Sequence, residues 1–144
     1  ACPEKEDQMA QRQAYDTPGT HDQRAGIEPT AAADASKTHV IFEAPVSCKI
    51  EKVKIIPGAA ITGANTNTKH LNLINRGTNG AGAAEIANYD LTLGNDIGVA
   101  GLVLYAPASP LAAAQGTQLG LQVEQVGTGQ ALPPLAVVVE FAPN

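Results

Sequence analysis

The stretch from Thr117 to Ala142 constrains the fold more than any other part of the sequence. It holds two runs in which apolar residues alternate with polar or small ones, and their apolar positions are Leu119, Leu121 and Val123, then Leu135, Val137, Val139 and Phe141. A period of two is typical of a β-strand that buries one of its faces. Because that face needs other strands to cover it, the chain is predicted to be a layered β protein.

The link between these two runs, residues 127–134, indicates how they are arranged. It contains Gly127 and Gly129 and ends in Pro133 and Pro134. A tight hairpin needs a loop of about two residues, and this link is much longer. The prolines also remove hydrogen-bond donors at the entry to the last strand. We therefore expect the link to cross from one sheet to the other, so that the two strands face each other across the core.

Shorter runs with strand character fill the chain from residue 38 onward. They are separated by segments rich in Gly, Pro and Asn, and they cover residues 38–43, 46–56, 69–76, 85–93 and, more weakly, 102–105. Leu111–Gly116 is predicted to be a turn. In the second run the apolar residues change from even-numbered to odd-numbered positions, which predicts a β-bulge near Glu51 and Lys52. Seven or eight short strands predict an all-β fold, an antiparallel β-sandwich or jelly roll over residues 38–144.

The first 37 residues have a different character and are predicted to form an extended N-terminal arm. Their large apolar residues are Met9, Tyr15 and Ile27, which follow no strand or helix period. Such a segment cannot bury enough apolar area to offset the entropy of ordering. Two alternatives follow: a disordered tail, or an arm that orders on a partner with these three residues as anchors. Residue types also favour a short helix over Lys5–Ala14.

Composition and charge argue against several partners. The net charge is -5, whereas nucleic-acid binding needs a surplus of Lys and Arg or at least a basic stripe. The local cluster of Lys49, Lys52 and Lys54 is predicted to be the solvated face of a strand. No apolar run approaches the roughly 20 residues of a membrane helix, and the start of the sequence shows no apolar region of a signal peptide. We expect no nucleic-acid or membrane partner.

Motifs for catalysis or cofactor binding are missing from the sequence. His21, His39 and His70 form no pair at a metal-ligand spacing, and neither a nucleophile elbow nor a phosphate-binding loop is present. Cys48 lies in an alternating strand and is interpreted as a core residue, with a disulfide to Cys2 as the alternative. The sequence therefore predicts no enzyme, no metal site and no cofactor.

Acidic residues offer two further candidate sites, and neither is favoured. Asp90, Asn95 and Asp96 surround a strand end, but they lack the ligand pattern of a calcium loop, so a plain turn is predicted. Glu124 and Glu140 are predicted on the outward faces of the last two strands. No feature of the sequence brings these two carboxylates together as a hydrolytic pair.

The part of the chain from about Lys37 onward resembles small jelly-roll or β-sandwich capsid decoration (cement) and head-fibre proteins of tailed bacteriophages. The resemblance is a pattern of strands and turns over roughly three quarters of the chain, carried by Ala44-Pro45, Val53–Pro57, Leu71–Gly77, Leu111–Leu119, and Val126–Gly129 with Leu132-Pro133. It implies a homotrimer on the outer surface of the virion capsid, where it would bind the major capsid protein and clamp neighbouring capsomers. The residues before Lys37 lie outside the resemblance.

Three functions follow, and they remain open at this point. The first is a structural virion protein that binds the major capsid protein through its arm and one rim of the sandwich. The second is a host- or glycan-binding fibre or adhesin module that uses the exposed loops Gly63–Thr68 and Gly77–Ala84. The third is a small hydrolase or cupin-like enzyme, which a stoichiometric transition metal in the purified protein would favour.

Overall fold

A computed structural model describes residues 18–144 of the chain, and these residues form nine β-strands. The strands are β1 (His21–Ile27), β2 (Lys37–Glu43), β3 (Cys48–Pro57), β4 (Thr68–Gly77), β5 (Ala84–Asp90), β6 (Leu102–Tyr105), β7 (Leu111–Ala113), β8 (Gln118–Val126) and β9 (Leu135–Pro143). Over this range no helix is long and apolar enough to cross a membrane.

The strands form two antiparallel sheets that face each other across one core. The five-stranded sheet has the order β1-β9-β3-β6, with β7 pairing to β3 beside it, and the four-stranded sheet has the order β2-β8-β4-β5. This arrangement confirms the predicted all-β sandwich or jelly roll. Strands β1 and β6 lie at the edges of the first sheet, and β2 and β5 lie at the edges of the second.

The core consists of the apolar positions that the alternating pattern predicts. Leu119, Leu121 and Val123 of β8 are 0–2% exposed, and the apolar positions of β9 are 0–3% exposed. Burying each such side chain contributes about 1.5–3 kcal/mol. The two sheets meet at Phe42 and Phe141, whose rings lie 5.4 Å apart in an edge-to-face arrangement, the geometry that aromatic pairs prefer.

The link between β8 and β9 crosses the sandwich, as predicted. Strand β8 lies in the four-stranded sheet and β9 in the five-stranded sheet. Gly129 sits in this link with a φ of 81°, and a Cβ at this position would lie 1.9 Å from the main-chain oxygen of Ala32. A residue with a side chain would therefore displace the neighbouring 28–36 loop.

The predicted bulge in β3 is also confirmed. The register between β3 and β9 shifts between Ile50 and Lys52, so that Ile50 and Val53 both point into the core and are 0% exposed. One extra residue on one strand changes the parity of everything that follows. This is how the lysines of β3 stay on the outside.

The structure departs from the sequence prediction at β1, which lies within the segment expected to be an arm. His21–Ile27 pairs with β9 along its whole length, so these seven residues belong to the sandwich. The inward positions of β1 include His21, Gln23 and Ala25, which are polar or small, so the strand shows no apolar period. Residues 1–17, including the helix predicted over Lys5–Ala14, lie outside the described residues.

A polar side chain closes the sandwich between the edge strands β1 and β2. The Gln23 side chain donates through Nε2 to the main-chain oxygen of Glu43 at 2.9 Å, and its Oε1 accepts from the main-chain nitrogen of Glu43 at 3.4 Å. One amide thus bonds both backbone groups of Glu43 in the way that a neighbouring strand would.

A second departure is β7, which was expected to be part of a turn. Leu111–Ala113 pairs with Cys48–Ile50 of β3. Three residues are too few to show a period of two, and Ala112 and Ala113 carry little β-propensity. The strand is therefore specified by its tertiary partner.

Lys69 is an unexpected member of the interior. It has the same parity as Leu71 and Leu73 on β4 and is 0% exposed. Its Nζ donates to the main-chain oxygen of Asp34 at 2.8 Å, so the buried ammonium holds the 28–36 loop over the end of the core. A buried cation requires such hydrogen bonds because burial removes its hydration.

Candidate interaction surfaces

The described residues carry no group suited to metal-dependent or thiol chemistry. Between residues 18 and 144, no cluster of three or more His, Cys, Asp or Glu side chains could hold a metal ion. Cys48 is 0% exposed and free, as predicted for a core residue. Burial raises the pKa of its thiol, which disfavours the reactive thiolate.

The acidic turn after β5 uses its polar groups to fix its own shape. Asn95 Nδ2 donates to the main-chain oxygen of Asp90 at 3.0 Å, and the Asp96 carboxylate accepts from the main-chain nitrogen of Gly63 at 2.8 Å. This geometry agrees with the predicted plain turn. Glu124 and Glu140 lie on strands of different sheets and on opposite outer faces, so they do not form a hydrolytic pair.

The outer face of the four-stranded sheet carries a row of ionisable side chains across three strands. His70 lies opposite Asp90 on one side and Glu124 on the other. Its Nδ1 is 3.2 Å from Asp90 Oδ1 and 3.5 Å from Glu124 Oε1. His70 Nε2 is buried and has no hydrogen-bond partner within the described part of the chain.

A second row of amides lies beside the first. Asn72 Nδ2 donates to Gln122 Oε1 at 2.9 Å and to Glu124 Oε1 at 3.3 Å, and Asn72 is 7% exposed although it lies on an outer face. The two rows line a shallow cavity of about 370 Å³. We refer to His70, Asn72, Asp90, Gln122 and Glu124 as the polar face.

The outer face of the five-stranded sheet has a different chemistry. Lys52 Nζ lies 3.2 Å from Glu140 Oε2, and both side chains are substantially exposed. Exposed ion pairs of this kind contribute about 0–1 kcal/mol. Lys49 and Lys54 share the outward parity of β3, so the three lysines occupy a solvated strand face, as predicted.

One end of this outer face forms an apolar groove. Three separate segments line it, namely 26–29, 56–58 and 134–136, and its volume is about 600 Å³. Pro134 forms one wall by packing against Gly58, whose main-chain nitrogen donates to the Pro134 oxygen at 2.8 Å. Glu28 is the charged residue of the lining. We refer to these three segments as the apolar groove.

Four loops meet at the same end of the sandwich and form what we call the loop rim, residues 28–36, 58–67, 91–101 and 127–134. Bridges between Thr30 and Leu132 and between Ile61 and Ile97 join them in pairs. Their charged residues are Glu28, Asp34 and Asp96, without any Lys or Arg. Two large apolar side chains of this rim point into solvent, since Leu93 is 72% exposed and Val99 is 66% exposed.

The predicted partner anchors have different outcomes. Ile27 is 4% exposed and lies in the core of its own domain, opposite Leu135. It is therefore unavailable to a partner in this structure, because its side chain completes the sheet-to-sheet contact. Met9 and Tyr15 lie outside the described residues, and their role stays a prediction.

The two loops predicted for host binding lie at opposite ends of the molecule. Gly63–Thr68 leads into β4 and Gly77–Ala84 leaves it, and β4 is 10 residues long. A strand rises about 3.3 Å per residue, so the loops are separated by roughly 30 Å. Thr68 is also 1% exposed. One ligand of ordinary size therefore cannot contact both loops.

Neither the polar face nor the apolar groove was predicted as a site. Part of the polar face could be predicted from the sequence. The apolar alternation in residues 69–76 and 119–124 places four of its residues on the outward side, namely His70, Asn72, Gln122 and Glu124. Strand register decides which of them meet, and alternation does not give the register. The groove has no sequence signal, because its three segments are far apart along the chain.

Comparison with known proteins identifies the fold. No family model and no curated protein sequence matches the chain. Its fold is similar to that of a chain in the cyanophage Pam1 capsid asymmetric unit, with a TM-score of 0.61 at 12% identity, covering 88% of this chain and 86% of that one. A chain of infectious bursal disease virus, Gx strain, superposes with a TM-score of only 0.33 at 12% identity, covering 90% of this chain and 38% of the other. The fold is thus one that occurs in a viral capsid.

Proposed function

We propose that the chain is a structural virion protein that decorates and stabilises a bacteriophage capsid by binding the major capsid protein on its outer surface. The similarity to a chain of the cyanophage Pam1 capsid asymmetric unit carries this proposal. Because the alignment covers nearly equal shares of both chains, that neighbour is a similarly small protein within a capsid. A structural role requires no catalytic group, and we propose no enzymatic activity.

The loop rim is the part of the sandwich that best fits a partner protein. Its exposed Leu93 and Val99 are large apolar side chains on a surface with three acidic residues and no basic one, and exposed apolar side chains of this kind are typical of the centre of a protein interface. The rim loops are also braced against one another by the two bridges. A braced surface loses little conformational entropy on binding. We propose that this rim contacts the capsid.

The segment before β1 is the second proposed contact. Because β1 belongs to the sandwich, the proposed arm is narrowed here to the residues that precede it, with Met9 and Tyr15 as its large apolar side chains. The protein is proposed to act as a homotrimer. Three linked copies would raise the effective concentration of each contact at a capsid surface.

A capsid-rebinding assay tests these contacts. Capsids are purified from a phage that lacks this protein, mixed with the purified chain and sedimented. The variant Leu93→Asp/Val99→Asp is expected to bind at least about tenfold more weakly, because two carboxylates would be desolvated in the interface. Val103→Asp is the matched control, since Val103 is 49% exposed but lies on β6, outside the rim.

Two outcomes would contradict the proposal. The rim is not the contact if its double variant binds as tightly as the unmodified chain, and the whole function is wrong if the unmodified chain does not bind capsids. Deletion of residues 1–17 leaves β1 intact and tests the arm separately. Analytical ultracentrifugation tests the trimer, for which the expected mass is three times that of one chain.

A host- or glycan-binding module is the second candidate, and the polar face favours it. Its carboxylate and amide groups line a shallow cavity and are suited to hydrogen-bonding sugar hydroxyls. Gln122→Ala would then reduce binding to a host-cell glycan array and leave capsid rebinding unchanged. Unchanged glycan binding by this variant, or the lack of glycan binding by the unmodified chain, would exclude this role for the face.

A further inference from the structure

The apolar groove is an open apolar surface that the described residues leave uncovered. Ile56 of β3 and Ala136 of β9 line it together with Pro29 and Pro134. At Gly26 the position of a Cβ has no atom of residues 18–144 within 4 Å. The groove is therefore open toward the side of β1, which lies at the edge of the sheet.

The chain that precedes β1 has the length needed to reach this groove. Met9 lies nine residues before Pro18, and Ile27 lies nine residues after it. Each separation corresponds to about 30 Å of extended chain. If the segment reverses direction at Pro18 and follows β1, Met9 arrives at the same end of the sheet as Ile27, beside the groove.

The described start of the chain favours such a reversal. Pro18 and Gly19 form a bend, and Gly19 has a φ of 117°, a value that glycine adopts without strain. Proline followed by a glycine of positive φ is the combination found in type II turns. A type II turn matches the twist of paired strands less well than the primed turns do. Pairing of the reversed segment with β1 would therefore depend on a further contact at the end away from Pro18.

We propose that residues 9–16 run back along the edge strand β1 of the same chain and that the Met9 side chain occupies the apolar groove. Met9 is the largest apolar residue that this path brings to the groove, and its flexible thioether fills irregular apolar spaces well. The same chain is the preferred source because the short connection to β1 gives a millimolar effective concentration. The groove would thereby lose its exposed apolar surface in the free protein, and the capsid contact proposed above for Met9 would replace this intramolecular contact on the particle.

Thiol cross-linking of the purified full-length protein tests this inference without any capsid. In a Cys2→Ser background, the test variant carries Met9→Cys and Ala136→Cys. The matched control carries Met9→Cys and Ala112→Cys, since Ala112 is equally an exposed alanine on an outer strand position but lies outside the groove. Because β1 lies between residue 9 and β9 in the proposed arrangement, both variants are treated with a bismaleimide that spans roughly 10 Å, about two inter-strand spacings. The products are separated on a denaturing gel.

The test variant is expected to form a cross-linked species with the mass of one chain at least about ten times faster than the control. Tryptic mass spectrometry should join the peptide Glu6–Arg12 to the peptide Gly77–Asn144. Equal rates in the two variants would overturn the inference. Cross-linked dimers or trimers would also overturn it, since the segment would then dock on another copy. The result does not depend on whether the chain binds a capsid, so the two proposals can fail separately.

Discussion

The two outer faces of the sandwich are made from similar strands but differ in how their side chains are satisfied. On the four-stranded sheet, His70 and Asn72 bond to residues on the neighbouring strands, so the polar face is held together by its own side chains. On the five-stranded sheet, Lys52 and Glu140 form an exposed pair, and the apolar groove beside them has no cover within the described residues. The first face is therefore bonded together by its own side chains, except at His70 Nε2, whereas the second is the face that we propose another segment completes.

Replacement of Lys69 should have the largest effect on stability. Lys69 points inward from the four-stranded sheet, and it is compared with Lys54, which points outward from the five-stranded sheet. Lys69→Ala removes a fully buried aliphatic stem and its bond to Asp34, and should lower the free energy of unfolding by about 3 kcal/mol. Lys69→Met keeps most of the stem and loses the bond to Asp34, which should lower the free energy of unfolding by about 1 kcal/mol. Urea denaturation measures both.

Lys54→Ala is the control for that comparison. Lys54 lies on the outer face of the five-stranded sheet, and its removal should change the free energy of unfolding by less than about 0.5 kcal/mol. If Lys54→Ala destabilises the protein as much as Lys69→Ala, the buried position of Lys69 is not what makes it important.

Val138 offers a smaller test on the five-stranded sheet. It is 8% exposed and lies between Arg24 on β1 and Lys54 on β3. Val138→Lys should lower the free energy of unfolding by about 1 kcal/mol more than Val138→Glu, because cross-strand like charges repel and opposite charges attract. Thermal unfolding at low and high salt checks this, since the difference should shrink as salt screens the charges.

Asn72 tests whether the polar face is held together by its amides. Asn72→Ala removes the bonds to Gln122 and Glu124 and should cost about 1 kcal/mol. Asn88→Ala removes an exposed amide from the neighbouring strand β5 and should lower the free energy of unfolding by only a few tenths of the loss expected for Asn72→Ala. Equal losses for the two variants in chemical denaturation would show that the bonds to Gln122 and Glu124 contribute nothing.

The smallest effect concerns pH and His39, at the edge of the four-stranded sheet. Burial, and to a lesser degree the charge of Lys37, lowers its pKa from 6.5. The folded state therefore binds this proton less readily than the unfolded state, so stability should fall as the pH drops below about 6.5. His39→Gln should flatten this part of the stability profile. An unchanged profile would mean that His39 is not responsible.

Much of the fold was predictable because aliphatic residues recur with a period of two. The alternation in β8 and β9, the bulge after Ile50 and the crossing link 127–134 all follow from apolar parity and glycine or proline positions. Strand β1 was missed because its inward positions include Gln23 and Ala25, which carry no apolar signal. Its place in the sheet depends on pairing with β9, a contact between the two ends of the chain.

The candidate surfaces were harder to predict than the fold. The polar face depends on register across β5, β4 and β8, which places His70 between two carboxylates. The loop rim depends on which loops share one end of the sandwich. The outward direction of Leu93 and Val99 is likewise a tertiary property, because each follows from how the 91–101 loop is held by the Ile61–Ile97 bridge.

The bond between the Gln23 side chain and the backbone of Glu43 has a consequence for proteins that crowd together. An edge strand with free backbone groups is a template on which another copy can add a strand and begin a fibre. At Glu43 both groups already have a partner from the same chain. Copies that are held close to one another can therefore associate through side-chain surfaces without adding a strand to the sheet at Glu43.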